Sequence, residues 1–167
     1  ALAALKMAEE IGVDKEVAVE SLRNFKGTWR RFEEVGRYQN SVVISDYAHH
    51  PKEIEVTIQA AKEKYPESQI LVIFQPHQRH RTKMLLEGFV ASLSKADKLI
   101  VSEIYDVEGR ELGEAVSSKD ITSQIEGAVF TKDLEETELK VKELVTDNDV
   151  LLFMGAGDID SVARKLA

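Results

Sequence analysis

Cysteine is absent from the 167 residues, and proline, with three residues, and tryptophan, with one, are scarce. The lack of cysteine excludes disulfides and thiolate metal sites and fits a reducing cytoplasm. No apolar run approaches the roughly 18 residues that a membrane-spanning helix needs. The sequence also does not open with the basic, apolar and small-residue pattern of a secretory signal. These features predict a cytoplasmic protein with no membrane partner.

An excess of positive charge is also missing, because 22 Lys and Arg stand against 30 Asp and Glu, for a net charge of -8. This balance argues against general binding to nucleic acid, which depends on releasing counterions with Lys and Arg. A hydrophobic fraction of 43% with 31% charged residues is typical of a globular domain with a real core. Small molecules are therefore the expected partners.

Strand and helix patterns alternate from Trp29 to the end of the chain. Strands that alternate with helices along the chain predict a doubly wound, mainly parallel, Rossmann-like α/β sheet with helices on both faces. Predicted strands cover 32–38, 41–45, 70–74, 98–102, 128–131 and 150–153. Predicted helices start at Pro51 and at Thr82 as N-cap, cover 118–125 and 134–145, and close the chain, with a charged loop at 106–116.

The first 25 residues differ from this pattern, because they predict two short helices, the second capped by Asp14. Two such helices cannot bury much surface by themselves. We therefore expect residues 1–25 to be the end of a preceding domain whose beginning is missing, and residues 26–167 to form the α/β domain.

All four histidines lie in two runs, Asp46-Tyr47-Ala48-His49-His50-Pro51 and Gln75-Pro76-His77-Gln78-Arg79-His80-Arg81-Thr82. Each run follows an apolar strand, and ligands of open α/β sheets bind beyond the carboxyl ends of strands. We therefore expect both loops to face one crevice, with only one of His49 and His50 inside it. Basic residues near these loops favour an anionic ligand.

Several of these residues have a structural alternative. Asp46 suits a ligand hydroxyl or a helix cap, and Tyr47 suits stacking or packing. Arg81 suits a bidentate clamp on a carboxylate or phosphate. Of Arg30 and Arg31, only one should face the site if the chain there is extended. Gly155-Ala156-Gly157 is a weak phosphate signal, since two glycines also serve a tight turn.

Five segments carry a resemblance to a known family: Phe25-Lys26-Gly27, Arg30-Arg31-Phe32-Glu33, the run from Asp46 to Pro51, Phe74-Gln75-Pro76-His77 with Arg81-Thr82, and Gly155-Ala156-Gly157-Asp158-Ile159. In this order they resemble the carboxy-terminal domain of the Mur ligases over nearly the whole chain. The resemblance implies ATP-dependent amide-bond synthesis in peptidoglycan assembly. A muramyl carboxylate is phosphorylated, an amine attacks the acyl phosphate, and ADP and phosphate leave.

The resemblance also implies roles for particular residues. Arg31 and Asp46 match residues that contact ATP, and Tyr47, His49, His77 and Arg81 match the region that faces the incoming amino acid, with His49 and His77 as the catalytic candidates. The Gln-Pro-His segment favours L-alanine over peptides as acceptor, with UDP-N-acetylmuramate as the other substrate. Gln78 stands where the family often has arginine, which leaves open whether Gln78 or Arg79 assists Arg81.

The resemblance further implies that Mg²⁺ is bound mainly by two other domains, against which this one packs, and that the chain alone is inactive. Two alternatives come from other classes. A metal-dependent hydrolase would gather Asp46, His77, His80 and His49 or His50 around an ion. A noncatalytic nucleotide-binding module would bind ATP without ligation.

Overall fold

The computed structural model describes residues 1–106 and 116–167. The described residues form the strands β1 (Glu33–Tyr38), β2 (Ser41–Asp46), β3 (Ile70–Phe74), β4 (Lys98–Ser102), β5 (Val129–Thr131) and β6 (Val150–Met154). They make one sheet in the order β1-β2-β6-β3-β4-β5, in which β1 runs antiparallel to β2 and the other neighbours are parallel. This arrangement confirms the predicted mainly parallel sheet.

Helices cover both faces of this sheet, as predicted. The helices are α1 (Leu2–Glu10), α2 (Lys15–Arg23), α3 (Pro51–Lys64), α4 (Arg79–Met84), α5 (Leu86–Leu93), α6 (Lys119–Thr122), α7 (Leu134–Leu144) and α8 (Asp160–Leu166). One core cluster joins alternate side chains of the strands to α3, α5 and α6, and a second joins the intervening side chains to α7 and α8.

The three central strands are buried along their whole length, which explains their nearly continuous apolar sequences. Ile44, Val72 and Leu152 face one layer of helices, while Val43 and Leu151 face the other. Burying an aliphatic side chain of this size contributes about 1.5–3 kcal/mol relative to leaving it exposed. The sheet is therefore a rigid base from which the loops project.

Two predicted helix boundaries are wrong. The helix after β3 begins at Arg79, and Thr82 is buried inside it with its hydroxyl donating to the Gln78 carbonyl at 3.0 Å. A threonine hydroxyl can bond the carbonyl four residues earlier, so Thr82 fits a helix interior as well as a cap. The helix predicted at 118–125 is only the four-residue α6. Most of the predicted loop at 106–116 lies outside the described residues.

The first two helices pack on each other and bury little. Asp14 caps α2 as predicted and accepts a hydrogen bond from the Glu16 amide at 2.8 Å. No residue of α1 and only Ala18 of α2 is buried, and Leu2 and Met7 are exposed. Among residues 1–106 and 116–167, no helix has the length and apolar character to cross a membrane.

Candidate functional site

The two histidine-containing runs emerge at the same edge of the sheet. Asp46 at the end of β2 pairs with Met154 of β6, and Met154 pairs with Phe74 at the end of β3. The runs that follow β2 and β3 are therefore separated by one strand, or about 10 Å at the usual strand spacing. The loop after β6 lies between them. Both runs thus leave the same edge of the sheet, whereas a crevice shared by the two loops stays a prediction.

The helices that follow these runs lie on the same face of the sheet. α3 and α5 share one core cluster, and Gly88 of α5 lies so close to Pro51 of α3 that a Cβ there would be 2.9 Å from the proline ring. Only glycine fits this approach without displacing the first turn of α3. α3 and α5 are thus on one side of the sheet, and α4, which contains Arg81, leads directly into α5.

Asp46 fixes the loops around it. Its carboxylate accepts hydrogen bonds from the Phe32 amide at 2.6 Å and the Ala48 amide at 2.7 Å. Burial raises the pKa of this carboxyl, whereas those two hydrogen bonds and the Arg31 guanidinium act in the opposite direction. Asp46 therefore holds the segment that carries Arg30 and Arg31 against the end of β2.

The assumption of an extended chain at Arg30 and Arg31 is wrong. Arg30 and Phe32 have φ of 52° and 47°, so the chain turns here and brings both guanidinium groups to the Tyr47 ring. The distances from Cζ to the ring centroid are 4.9 Å for Arg30 and 5.4 Å for Arg31. The cationic groups attract the negative face of the phenol ring, which stabilises this cluster.

Arg30 is the buried member of this pair, with 6% of its surface exposed, whereas Arg31 is exposed. Its Nη2 donates to the Gly155 carbonyl, and its Nε is buried with no hydrogen-bond partner among the described residues. No described carboxylate forms an ion pair with its guanidinium. A buried cation of this kind is suited to an anionic ligand. Reasoning from the residues left open which of Arg30 and Arg31 faces the site, and only the family resemblance favoured Arg31.

Tyr47 and His49 lie together, and His50 has a different role. The rings of Tyr47 and His49 meet edge to face with centroids 5.5 Å apart. His49 Nδ1 lies 2.9 Å from the Tyr47 carbonyl. Since a carbonyl only accepts, this bond needs the proton on Nδ1, and in the neutral ring the lone pair is then on Nε2. His50 Nδ1 accepts from the Lys52 amide at the start of α3. His50 therefore caps the helix.

His77 lies beyond the end of β3 and stacks on Tyr105. The ring centroids are 5.7 Å apart and the planes differ by 14°. His77 and Tyr105 also form a parallel bridge between the segments that follow β3 and β4. Tyr105 is a residue that sequence reasoning missed, because nothing in its local pattern marks a partner of His77.

Arg81 and Arg79 differ in what they contact. Arg79 Nε donates to Asp106 at 2.6 Å, and Nη1 donates to the Val116 carbonyl. Arg79 is thus engaged within the domain. The half-buried Arg81 side chain forms no hydrogen bond or ion pair within the part of the chain that the structure describes. Gln78 adopts a positive φ of 67° before α4 and donates its amide to the Tyr105 carbonyl.

Gln75 and the glycines after β6 join the two halves of this edge. Gln75 Nε2 donates to Asp158 at 2.8 Å, and its Oε1 accepts from the Ile159 amide at 3.2 Å. A Cβ on Gly157 would overlap Gln75 Oε1 and lie 2.7 Å from Tyr105 Cγ. These contacts show that Gly157 is needed for close packing. Sequence reasoning did not predict that Gln75 would link β3 to the loop after β6.

The histidines and acidic residues do not gather as a metal site. Within the described ranges, no group of three or more His, Asp or Glu side chains is placed to hold a metal ion. His50 caps α3, and Asp46 bonds two backbone amides. These contacts count against the metal-dependent hydrolase.

Comparisons with known proteins agree on one family. The family described as Mur ligase, glutamate ligase domain, matches residues 30–157. A UDP-N-acetylmuramate–L-alanine ligase of Aquifex aeolicus is 45% identical over 159 residues, covering 95% of this chain and 35% of that protein. Another, of Caldanaerobacter subterraneus subsp. tengcongensis, is 43% identical and covers 99% of this chain and 36% of its own length.

A solved structure is similar over the same length. The UDP-N-acetylmuramate–alanine ligase of Thermotoga maritima superposes with a TM-score of 0.75 at 32% identity, covering 97% of this chain and 34% of that one. The chain therefore spans about a third of the length of the relatives that it matches.

Proposed function

The chain belongs to the Mur ligase family, and from this premise we propose that it is the carboxy-terminal domain of a ligase that joins L-alanine to UDP-N-acetylmuramate with ATP. The observation that carries the proposal is that the runs with His49, His77 and Arg81 leave the same edge of the sheet. Arg30 contacts Tyr47 of the first run, and its buried Nε has no hydrogen-bond partner among the described residues. Such groups suit a zwitterionic amino acid beside a phosphate.

L-Alanine is the ligand that we assign to the side formed by the loops after β2 and β3. The Arg81 guanidinium binds its carboxylate through two parallel charge-assisted bonds, and Tyr47 closes the pocket beside the methyl group. His49 and His77 lie at the nitrogen. His49 Nε2 accepts a proton from the ammonium group, because attack on an acyl group needs a neutral amine. Fixed orientation of the amine supplies a large part of the rate.

ATP is assigned to the side formed by Arg31 and Asp46. Two observations fit a polyphosphate there. The buried Nε of Arg30 has no hydrogen-bond partner within residues 1–106 and 116–167, and the Arg31 guanidinium lies over the Tyr47 ring that Arg30 also contacts. Asp46 positions this segment through the Phe32 amide. ATP supplies the phosphoryl group that activates the muramyl carboxylate. Mg²⁺ belongs to the proposal, with its ligands expected mainly outside this chain.

The remaining two domains of the whole protein complete the site in this proposal. Residues 1–25 end the central domain and residues 26–167 form the domain described above. The exposed apolar side chains of α1 and α2, among them Leu2, Met7 and Val17, support this division, since such surface is normally covered. The chain alone is then inactive, and the reaction belongs to the bacterial cytoplasm, where ATP is available.

The test is an assay of the full-length protein with ATP, Mg²⁺, UDP-N-acetylmuramate and single amino acids. We expect one phosphate released for each amide formed with L-alanine, no product with dipeptides or tripeptides, and no turnover by residues 1–167 alone. Nucleotide binding by the full-length protein without amide formation would contradict the ligase and favour a nucleotide-binding module. Turnover only with a peptide would contradict the choice of alanine.

A further inference from the structure

Tyr105 provides a flat surface behind the His77 ring. The two rings are nearly parallel, with centroids 5.7 Å apart, and both residues are half-buried. A stacked aromatic neighbour restricts the tilt of an imidazole more strongly than an aliphatic one, because the two flat faces prefer a defined offset. The direction in which the His77 nitrogens point therefore depends on where the Tyr105 ring lies.

The backbone of Tyr105 holds the residues on both sides of His77. The Tyr105 amide donates to the Pro76 carbonyl at 2.8 Å, and the Gln78 amide donates to the Tyr105 carbonyl at 3.0 Å. These bonds form a short parallel bridge beyond the ends of β3 and β4. His77 is thus fixed by main-chain bonds before and after it, while its ring rests on the Tyr105 ring.

Tyr105 is in turn held from behind by the loop after β6. Gly157 lies so close that a Cβ there would be 2.7 Å from Tyr105 Cγ and 2.8 Å from Tyr105 Cβ. The same Cβ would overlap Oε1 of Gln75, which is tied to Asp158 and the Ile159 amide. Gly157 therefore sets how far the Tyr105 ring reaches into the site.

We propose that Tyr105 is a positioning residue for L-alanine, which acts by holding the His77 ring through a stack backed by Gly157. The proposal rests on the function proposed above and adds to it a residue outside the two histidine-containing runs. The side chain of Tyr105 contributes through its flat ring, so phenylalanine should replace it. Its effect should fall on the amino-acid side of the site, where His77 lies, and not on the ATP side at Arg31 and Asp46.

The experiment compares Tyr105→Phe and Tyr105→Leu in the full-length enzyme, with KM measured separately for L-alanine and ATP. We expect Tyr105→Phe to match wild type. Tyr105→Leu should raise the KM for L-alanine by about 3- to 10-fold, the range that corresponds to losing one aromatic pair, with the KM for ATP unchanged within about twofold. Gly157→Ala places a Cβ against the Tyr105 ring, so it should also raise the KM for L-alanine and leave the KM for ATP unchanged.

Tyr38→Leu is the matched control, because Tyr38 is also a half-buried tyrosine. It lies at the opposite end of the sheet, where it pairs with Ser41 at the start of β2. An equal effect of Tyr38→Leu, or an equal rise of both KM values in Tyr105→Leu, would overturn the positioning role in favour of general destabilisation. An unchanged KM for L-alanine in Tyr105→Leu would overturn it as well. A wild-type enzyme that ligates no alanine would overturn the proposed function and this inference together. If the wild type is active but Tyr105→Leu does not raise the KM for L-alanine above that for ATP, only the inference is overturned.

Discussion

The two ends of the sheet differ in how their charged side chains are paired. At the amino end, Lys98 donates to the nearly fully buried Asp149 at 2.9 Å, and Lys62 donates to Asp97 at 2.7 Å. Asp149 also accepts from the amide and the hydroxyl of Thr146. At the carboxyl end, the guanidinium groups of Arg30, Arg31 and Arg81 form no ion pair with any residue that the structure describes.

The difference separates groups that stabilise the domain from groups that await a ligand. Buried charges normally come with partners, since isolating an ion from water costs several kcal/mol. A buried cation such as Arg30, which has no carboxylate partner among the described residues, therefore makes an anionic ligand favourable. Arg79, which is paired with Asp106, shows that the carboxyl end also contains ordinary structural arginines.

The largest effect is expected at the amino end, from Lys98→Met. The change leaves the buried Asp149 carboxylate without its cation and should lower the free energy of unfolding by about 3 kcal/mol. Chemical denaturation measures this, with Lys62→Met as the control, because its pair with Asp97 is partly exposed and should be worth less than about 1 kcal/mol. The KM values of the folded enzyme should stay as in wild type. Equal losses in the two variants would contradict the contrast between buried and exposed pairs.

Arg81→Ala should affect catalysis without a comparable loss of stability. Losing two charge-assisted bonds to the L-alanine carboxylate should reduce kcat/KM for alanine by about 100-fold in the full-length enzyme. Arg81→Lys keeps the charge but not the planar guanidinium, so its kcat/KM for alanine should lie between those of wild type and Arg81→Ala. Steady-state kinetics of purified protein check this, and unchanged kcat/KM in Arg81→Ala would refute the clamp.

Arg30→Met tests the buried guanidinium directly. The variant loses the bond to the Gly155 carbonyl and the contact with Tyr47, but it also removes a buried charge that has no carboxylate partner among the described residues. These changes offset each other, so the free energy of unfolding should change by less than about 1 kcal/mol. The KM for ATP should rise by about tenfold, as expected for one lost charge-assisted bond. A loss of stability as large as that of Lys98→Met would instead make Arg30 a structural cation.

Glu55→Gln should have the smallest effect, since the partners of Glu55, Lys52 and Lys95, are largely exposed at the surface. Hydrogen bonds from Lys52, and then from Lys95, lower the pKa of Glu55 to about 2. A depressed folded pKa stabilises the protein above the unfolded pKa, and this contribution is lost as the pH falls from about 4.5 towards about 2. The difference in Tm between wild type and variant should be present at pH 7, vanish near pH 2 and shrink in high salt. A difference that persists at pH 2 would exclude a charge effect.

Much of the fold and part of the candidate site followed from local patterns. The apolar runs of β2, β3 and β6, the cap at Asp14 and the proline that opens α3 each depend on neighbouring residues. The prediction of Thr82 as an N-cap was wrong because a threonine before an apolar helical stripe resembles a cap. Its hydroxyl instead donates to the carbonyl of Gln78, four residues earlier. The contacts of Arg30, Gln75 and Tyr105 were not predictable, because their partners lie far away in sequence.

The sequence by itself determined that strands and helices alternate and that histidines and arginines follow two of the strands. These features are local, since they depend on periodicity and on turn residues a few positions apart. Only the tertiary structure decided that β6 lies between those strands, so that Gly155 and Gly157 lie between the two runs. It also decided which arginine is buried and which histidine caps a helix, because burial and partner choice arise from packing between distant segments.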